Sequence, residues 1–122
     1  MTALQRLAVR YNLDPATAQI ILDGEIWCIV GTPTAPGALP RALLYEQTAG
    51  DTPESAAVDA LARAVRLTLN LSLLCRGDVA EAIAENNAPL IEKYTAHLRS
   101  LDARLRLLLG LDVPPDLHPG AQ

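Results

Sequence analysis

The chain has 122 residues, half of them hydrophobic and a fifth charged, with a formal net charge of −4. That length and composition exclude a disordered chain and are typical of one domain that folds without a structural metal or disulfide bonds. The acidic balance disfavours general binding to nucleic acid, which depends on neutralising phosphate groups with lysine and arginine.

The N-terminal segment is predicted to form a short helix over residues 3–12. Thr2 and Gln5 have the spacing of a capping box, in which each side chain accepts a hydrogen bond from the other residue's backbone N–H. Asn12 tolerates the left-handed backbone of a turn, so the first helix is expected to end there.

A second helix is predicted directly after this turn. Asp14 suits its N-cap, Pro15 its first position and Gly24 its end. With Ala8 where two crossing helices need a small side chain, residues 7–22 resemble the helix-turn-helix motif. The resemblance implies that the second helix enters the major groove of DNA.

Two short strands are predicted next, over 25–31 and 41–47, because both segments are rich in β-formers and bounded by turn residues. The proline-rich segment TPTAPGALP between them favours a hairpin with a long loop, while parallel or separate pairing stays open. A helix-turn-helix followed by two strands and long helices is similar to the winged-helix regulators, with this loop as the wing.

Three helices are predicted in the rest of the chain. The first begins at Pro53 and ends at Gly77, a short one follows over 78–85, and the last spans 88–109. Residues 112–122 are predicted to form a flexible tail.

The predicted fold class is therefore mainly α with a small β-hairpin (α+β), in one globular domain over residues 1–111. Its parts are a helix-turn-helix over 1–24, the β-hairpin over 25–48, and a helical hairpin or bundle over 52–111 that ends in the long C-terminal helix.

The last helix carries an apolar seam whose members recur at spacings of three and four residues. They are Ile91, Tyr94, Leu98, Leu101, Leu105 and Leu108. Such a seam packs against another helix, either within the chain or in a second copy. Leu107, Leu109 and Leu111 lie off the seam and would be exposed in a single chain, which favours a homodimer with the seam as its interface.

Five residues are candidates for DNA contacts if residues 7–22 act as a reader. Arginine side chains would contact phosphates, whereas threonine and glutamine on the second helix would contact base edges. The candidates are Arg6, Arg10, Thr17, Gln19 and, from the predicted wing, Arg41.

The sequence contains no pattern for catalysis, cofactor binding or metal binding. Cys28 and Cys75 each lie in apolar sequence and are expected to be buried free thiols in a reducing compartment. No signal peptide or membrane-spanning stretch is predicted. We therefore expect a non-enzymatic cytoplasmic protein without a membrane partner.

Two hypotheses about function follow. The first is a small intracellular DNA-associated regulator that reads DNA with residues 7–22 and dimerises through its C-terminal helices. The second is a helical protein–protein interaction module with no nucleic-acid role, such as an adaptor, an assembly subunit or an inhibitor. It rests on the acidic balance, the leucine seam and the apolar hairpin.

Overall fold

The computed structural model describes residues 1–114. It contains three helices and three strands, in the order α1 (Ala3–Arg10), β1 (Gln19–Asp23), β2 (Ile26–Val30), β3 (Arg41–Glu46), α2 (Pro53–Ala84) and α3 (Ala88–Leu109). The predicted α+β class with a long C-terminal helix is confirmed. The tail predicted over 112–122 lies outside the described residues from residue 115 onward.

The chain divides into two compact units, Met1–Ala64 and Val65–Gln122. We call them the N-terminal unit and the C-terminal unit. The first contains α1, the strands and the start of α2, and the second contains the rest of α2 and α3. A single globular domain over 1–111 stays a prediction.

Helix α1 begins as its sequence predicts. The Thr2 hydroxyl accepts a hydrogen bond from the Gln5 backbone N–H at 3.2 Å, and the Gln5 side chain accepts one from the Thr2 N–H at 3.0 Å. Asn12 has a φ of 56°, so the left-handed turn is also confirmed.

The prediction of a second helix between Asp14 and Gly24 is wrong. The Asp14 side chain accepts a hydrogen bond from the Ala16 N–H at 3.0 Å, and the Asp14 carbonyl accepts one from the Ala18 N–H at 3.0 Å. This single turn is not continued, because the next residues form β1. The β-branched pair Ile20–Ile21 favours a strand.

Gly24 has a different role from the predicted one. It has a φ of +63° and takes the first of two positions between β1 and β2. A type II′ hairpin turn needs a positive φ at this position, which glycine adopts readily. Glycine is common at helix ends for the same reason. The sequence signal was correct for the backbone conformation but wrong for the element that precedes it.

The strands form an antiparallel sheet in the order β1-β2-β3. The hairpin predicted over 25–48 is confirmed as β2 and β3, and β1 adds a third strand. Ile29 lies opposite Ile20 on one side and Ala42 on the other. The register shifts between Trp27 and Cys28.

The core of the N-terminal unit lies between one face of this sheet, α1 and the start of α2. Its buried members are Leu7, Ala8, Leu13, Ala18, Ile29 and Ala60. The backbone is close-packed here, because a Cβ on Gly31 would lie 3.2 Å from the Cα of Ala18. A glycine at position 31 therefore allows the segment after β2 to pass directly beside Ala18.

Helix α2 runs from Pro53 to Ala84 without interruption, so its predicted end at Gly77 and a separate helix over 78–85 are wrong. One exposed glycine costs a helix about 1 kcal/mol, which neighbouring helical turns offset. The break comes later, at Asn86, whose φ is 53°.

Helix α3 has the predicted bounds, 88–109. The Asn87 side chain accepts a hydrogen bond from the Leu90 N–H at 3.3 Å, and Gly110 ends the helix with a φ of 73°. The Cys75 thiol donates to the Tyr94 carbonyl at 3.3 Å. This contact and the short connection make α2 and α3 an antiparallel helical hairpin within the C-terminal unit.

Among residues 1–114, no helix is both long enough and apolar enough to cross a lipid bilayer.

Candidate functional site

The two residues predicted to contact bases do not lie on a helix. Thr17 lies in the turn before β1, and its hydroxyl is 3.2 Å from that of Thr32. Gln19 is the first residue of β1 and lies opposite Val30. Residues 14–24 thus form no helix that could enter a major groove, and the structural argument for DNA reading is lost.

The three predicted phosphate contacts lie on two different elements. Arg6 and Arg10 are on α1, and the guanidinium of Arg10 is 5.7 Å from the ring of Tyr11. Arg41 opens β3 and forms an ion pair with Asp23 across the sheet. The predicted wing residue is therefore paired with a carboxylate in the structure.

A polar cluster links β3 to the start of α2. The guanidinium of Arg63 lies 4.4 Å from the ring centre of Tyr45, and the Tyr45 hydroxyl donates to Asp59 at 3.5 Å. Burial raises the pKa of Tyr45, with smaller contributions from the carboxylates of Asp51 and Asp59. The phenol is therefore held in its protonated form, which is the opposite of an activated nucleophile.

Asp51 fixes the connection between β3 and α2. Its carboxylate accepts hydrogen bonds from the Thr48 N–H at 2.8 Å and from the Trp27 indole N–H at 3.2 Å. The backbone hydrogen bond from Thr48 is the main reason why the pKa of Asp51 is lowered, and the Trp27 hydrogen bond adds to it. We interpret this cluster as a structural clamp on the connection.

An open groove of about 390 Å³ lies within the N-terminal unit. Its apolar walls include Leu4, Ile20 and Val58, and its charged residue is Glu54. No group of three or more histidine, cysteine or acidic side chains in residues 1–114 is arranged to hold a metal ion. Cys28 and Cys75 are buried free thiols, as predicted.

The most unusual surface of the described residues is on α2 in the C-terminal unit. The buried side chains of this part of the helix are small: Thr68, Ser72, Cys75 and Ala82. Its large apolar side chains are exposed instead: Leu67, Leu69, Leu71, Leu73, Leu74 and Ile83. We call this second set the α2 leucine surface. It inverts the usual arrangement of a helix in a folded domain.

The seam predicted on α3 is largely covered in the single chain. Leu101 and Leu108 are fully buried, and the other four seam residues are half-buried. Leu107, Leu109 and Leu111 are exposed, as predicted. The seam as a dimer interface stays a prediction, but the α2 leucine surface exposes six large apolar side chains of one helix.

The α2 leucine surface was not predicted, because the dimer interface was assigned to the apolar seam of the last helix. A signal was present, since residues 67–75 are apolar around most of the helix circumference. A helix with that pattern is normally covered on several sides. No protein-family model, curated protein or solved structure matches this chain, so the α2 leucine surface is interpreted from its own residues.

Proposed function

We propose that the chain is a small, non-catalytic assembly protein that forms a homodimer through the α2 leucine surface of its C-terminal unit. The observation that carries this proposal is that α2 buries small side chains and exposes large apolar ones. Exposed apolar side chains concentrated on one helix are typical of an interaction site.

The energetics support association. Full burial of an exposed leucine is worth about 1.5–3 kcal/mol, so a half-exposed one gains roughly half as much when a partner covers it. Leu73 and Leu74 are 65% and 69% exposed and have the most to gain on α2. Several such residues on each chain together offset the estimated cost of association, about 4–15 kcal/mol.

A second copy is the simplest partner for this hairpin. Two antiparallel helices provide half of a four-helix bundle, and a two-fold axis completes the bundle with the same surface from each chain. Such a dimer would cover both flanks of α2, which the single chain leaves open.

A protein partner also fits the charges better than DNA does. Residues 1–64 contain four arginines and seven acidic side chains. Phosphate binding requires a concentrated positive surface, and an acidic unit repels the DNA backbone. We therefore expect no salt-dependent binding of mixed-sequence duplex DNA by fluorescence anisotropy at low ionic strength.

Sedimentation velocity over a range of concentrations tests the dimer. We expect wild type to sediment as a dimer at tens of micromolar, and Leu74→Asp to shift it to monomer, because a buried carboxylate opposes assembly. Leu39→Asp is the matched control, since Leu39 is an equally apolar, exposed residue of the N-terminal unit. A wild-type chain that stays monomeric would overturn the proposal.

A further inference from the structure

One face of α2 in the C-terminal unit consists only of exposed residues. Its residues are spaced by three and four positions and so lie along one side of the helix: Arg66, Asn70, Leu73, Leu74, Gly77 and Glu81. We call this the α2 central face. It includes the two most exposed leucines of α2, at 65% and 69%. Leu67 and Leu69 flank it on either side.

No contact among the described residues explains the glycine at position 77. Glycine in the interior of a helix is unfavourable compared with alanine. A Cβ placed on Gly77 would meet no atom of residues 1–114 within 4 Å, so no neighbouring group in this part of the chain requires its absence. Glycine also allows another backbone to approach closely. On an uncovered helix face, that backbone would belong to a second chain.

The charges on the central face are arranged symmetrically. Along the sequence, Arg66 and Glu81 are equally far from the midpoint between Leu73 and Leu74. Asn70 and Gly77 are also equally far from it, and closer to it. Neither Arg66 nor Glu81 belongs to an ion pair among residues 1–114. A parallel copy would place Arg66 against Arg66, whereas an antiparallel copy places it opposite Glu81 at both ends.

We propose that α2 pairs antiparallel with α2 of a second copy, about a two-fold axis through the midpoint between Leu73 and Leu74. This inference rests on the proposed function and specifies its interface. The leucines meet at the axis, and Gly77 of each chain faces Asn70 of the other, so that the helices approach closely. Arg66 of each chain pairs with Glu81 of the other.

Charge exchange tests this geometry directly. Arg66→Glu places two glutamates opposite each other at both ends of the interface, and Glu81→Arg places two arginines there. The double variant Arg66→Glu/Glu81→Arg restores opposite charges only if the helices are antiparallel in this register. Arg99→Glu is the control, because Arg99 is exposed but lies on α3, outside the proposed pairing of α2 with α2.

The dimer dissociation constant is measured for each variant by sedimentation equilibrium at low salt, with circular dichroism to show that helix content is kept. We expect each single variant to weaken the dimer roughly tenfold, since an exposed pair is lost at two symmetric places. The double variant should return to within about threefold of wild type. Arg99→Glu should leave the dissociation constant unchanged.

Two results would overturn the antiparallel pairing. One is a dimer whose dissociation constant is unaffected by the single variants, and the other is a double variant weaker than either single. In both cases the chain is still a dimer, and the proposed function stands. A monomeric wild type overturns the proposed function as well.

Discussion

The N-terminal unit and the α2 segment of the C-terminal unit bury side chains of opposite size. The N-terminal unit buries large side chains, and Leu7, Leu13 and Ile29 are at most 1% exposed. The α2 segment of the C-terminal unit buries Thr68 and Ser72 and leaves its leucines in contact with water. Burial of large side chains stabilises the N-terminal unit through its own core. Exposure of the leucines of α2 leaves apolar surface that another chain can cover.

The change occurs along one continuous helix. Before residue 65 the buried positions of α2 are alanines, such as Ala60, and they pack against large side chains from the sheet and α1. After residue 65 the buried positions stay small, but large side chains now occupy the outside of the helix. Helical periodicity alone therefore does not identify the buried face; the size of the residues on each face is needed as well.

The largest effect that this comparison predicts is at Leu7. Leu7→Ala removes a fully buried side chain and should lower the free energy of unfolding of the N-terminal unit by about 2–5 kcal/mol. Trp27, the single tryptophan, lies in this unit and reports its unfolding by urea through fluorescence. Leu39→Ala, at an exposed leucine, should change the same free energy by less than about 0.5 kcal/mol. Equal effects at the two leucines would contradict the core described here.

An intermediate effect, of opposite sign in two measurements, is expected at Gly77. Gly77→Ala should stabilise the helix of the isolated chain by about 0.5–1 kcal/mol. The same methyl group overfills a close helix contact, which should weaken the dimer by about 1–3 kcal/mol. Thermal unfolding at protein concentrations below the dimer dissociation constant measures the change in helix stability. Sedimentation equilibrium measures the change in dimer affinity. A dimer strengthened by Gly77→Ala would place Gly77 outside the interface.

The smallest effect concerns the clamp at Asp51 and its dependence on pH. The pKa of Asp51 is lowered in the folded chain, so the carboxylate adds stability above the unfolded-state pKa, which is about 3.9. That contribution is lost as the pH falls through the folded-state pKa. Asp51→Asn should therefore be less stable than wild type at pH 7, and the difference should shrink by pH 3. Urea unfolding at both pH values measures it, and an equal difference at both would exclude the carboxylate charge as its cause.

The elements with unambiguous local signals could be predicted from the sequence. The capping box of Thr2 and Gln5, the left-handed Asn12 and the stop at Gly110 each depend on a few neighbouring residues, and all three occur in the structure. The bounds of α3 and the pairing of β2 with β3 were also recovered. Local chemistry determines these features without help from distant residues.

The errors have two physical causes. Gly24 signals a left-handed backbone but does not specify whether a helix or a strand precedes it. Ile20 and Ile21 form a strand because they pair with β2. At Gly77 the cost of one glycine was smaller than the gain from continuing a long helix. The contact between Asp51 and Trp27 was not predictable, because it depends on how the strands place residues that are distant in sequence.

The sheet order has a further consequence for how the chain folds. Because β1-β2-β3 follows the sequence, every strand pair joins neighbours along the chain, through two residues in one case and ten in the other. Closing such short loops costs little chain entropy, and folds with low contact order form quickly. The sheet is therefore able to form early in folding, before the exposed leucines of α2 have met a second chain.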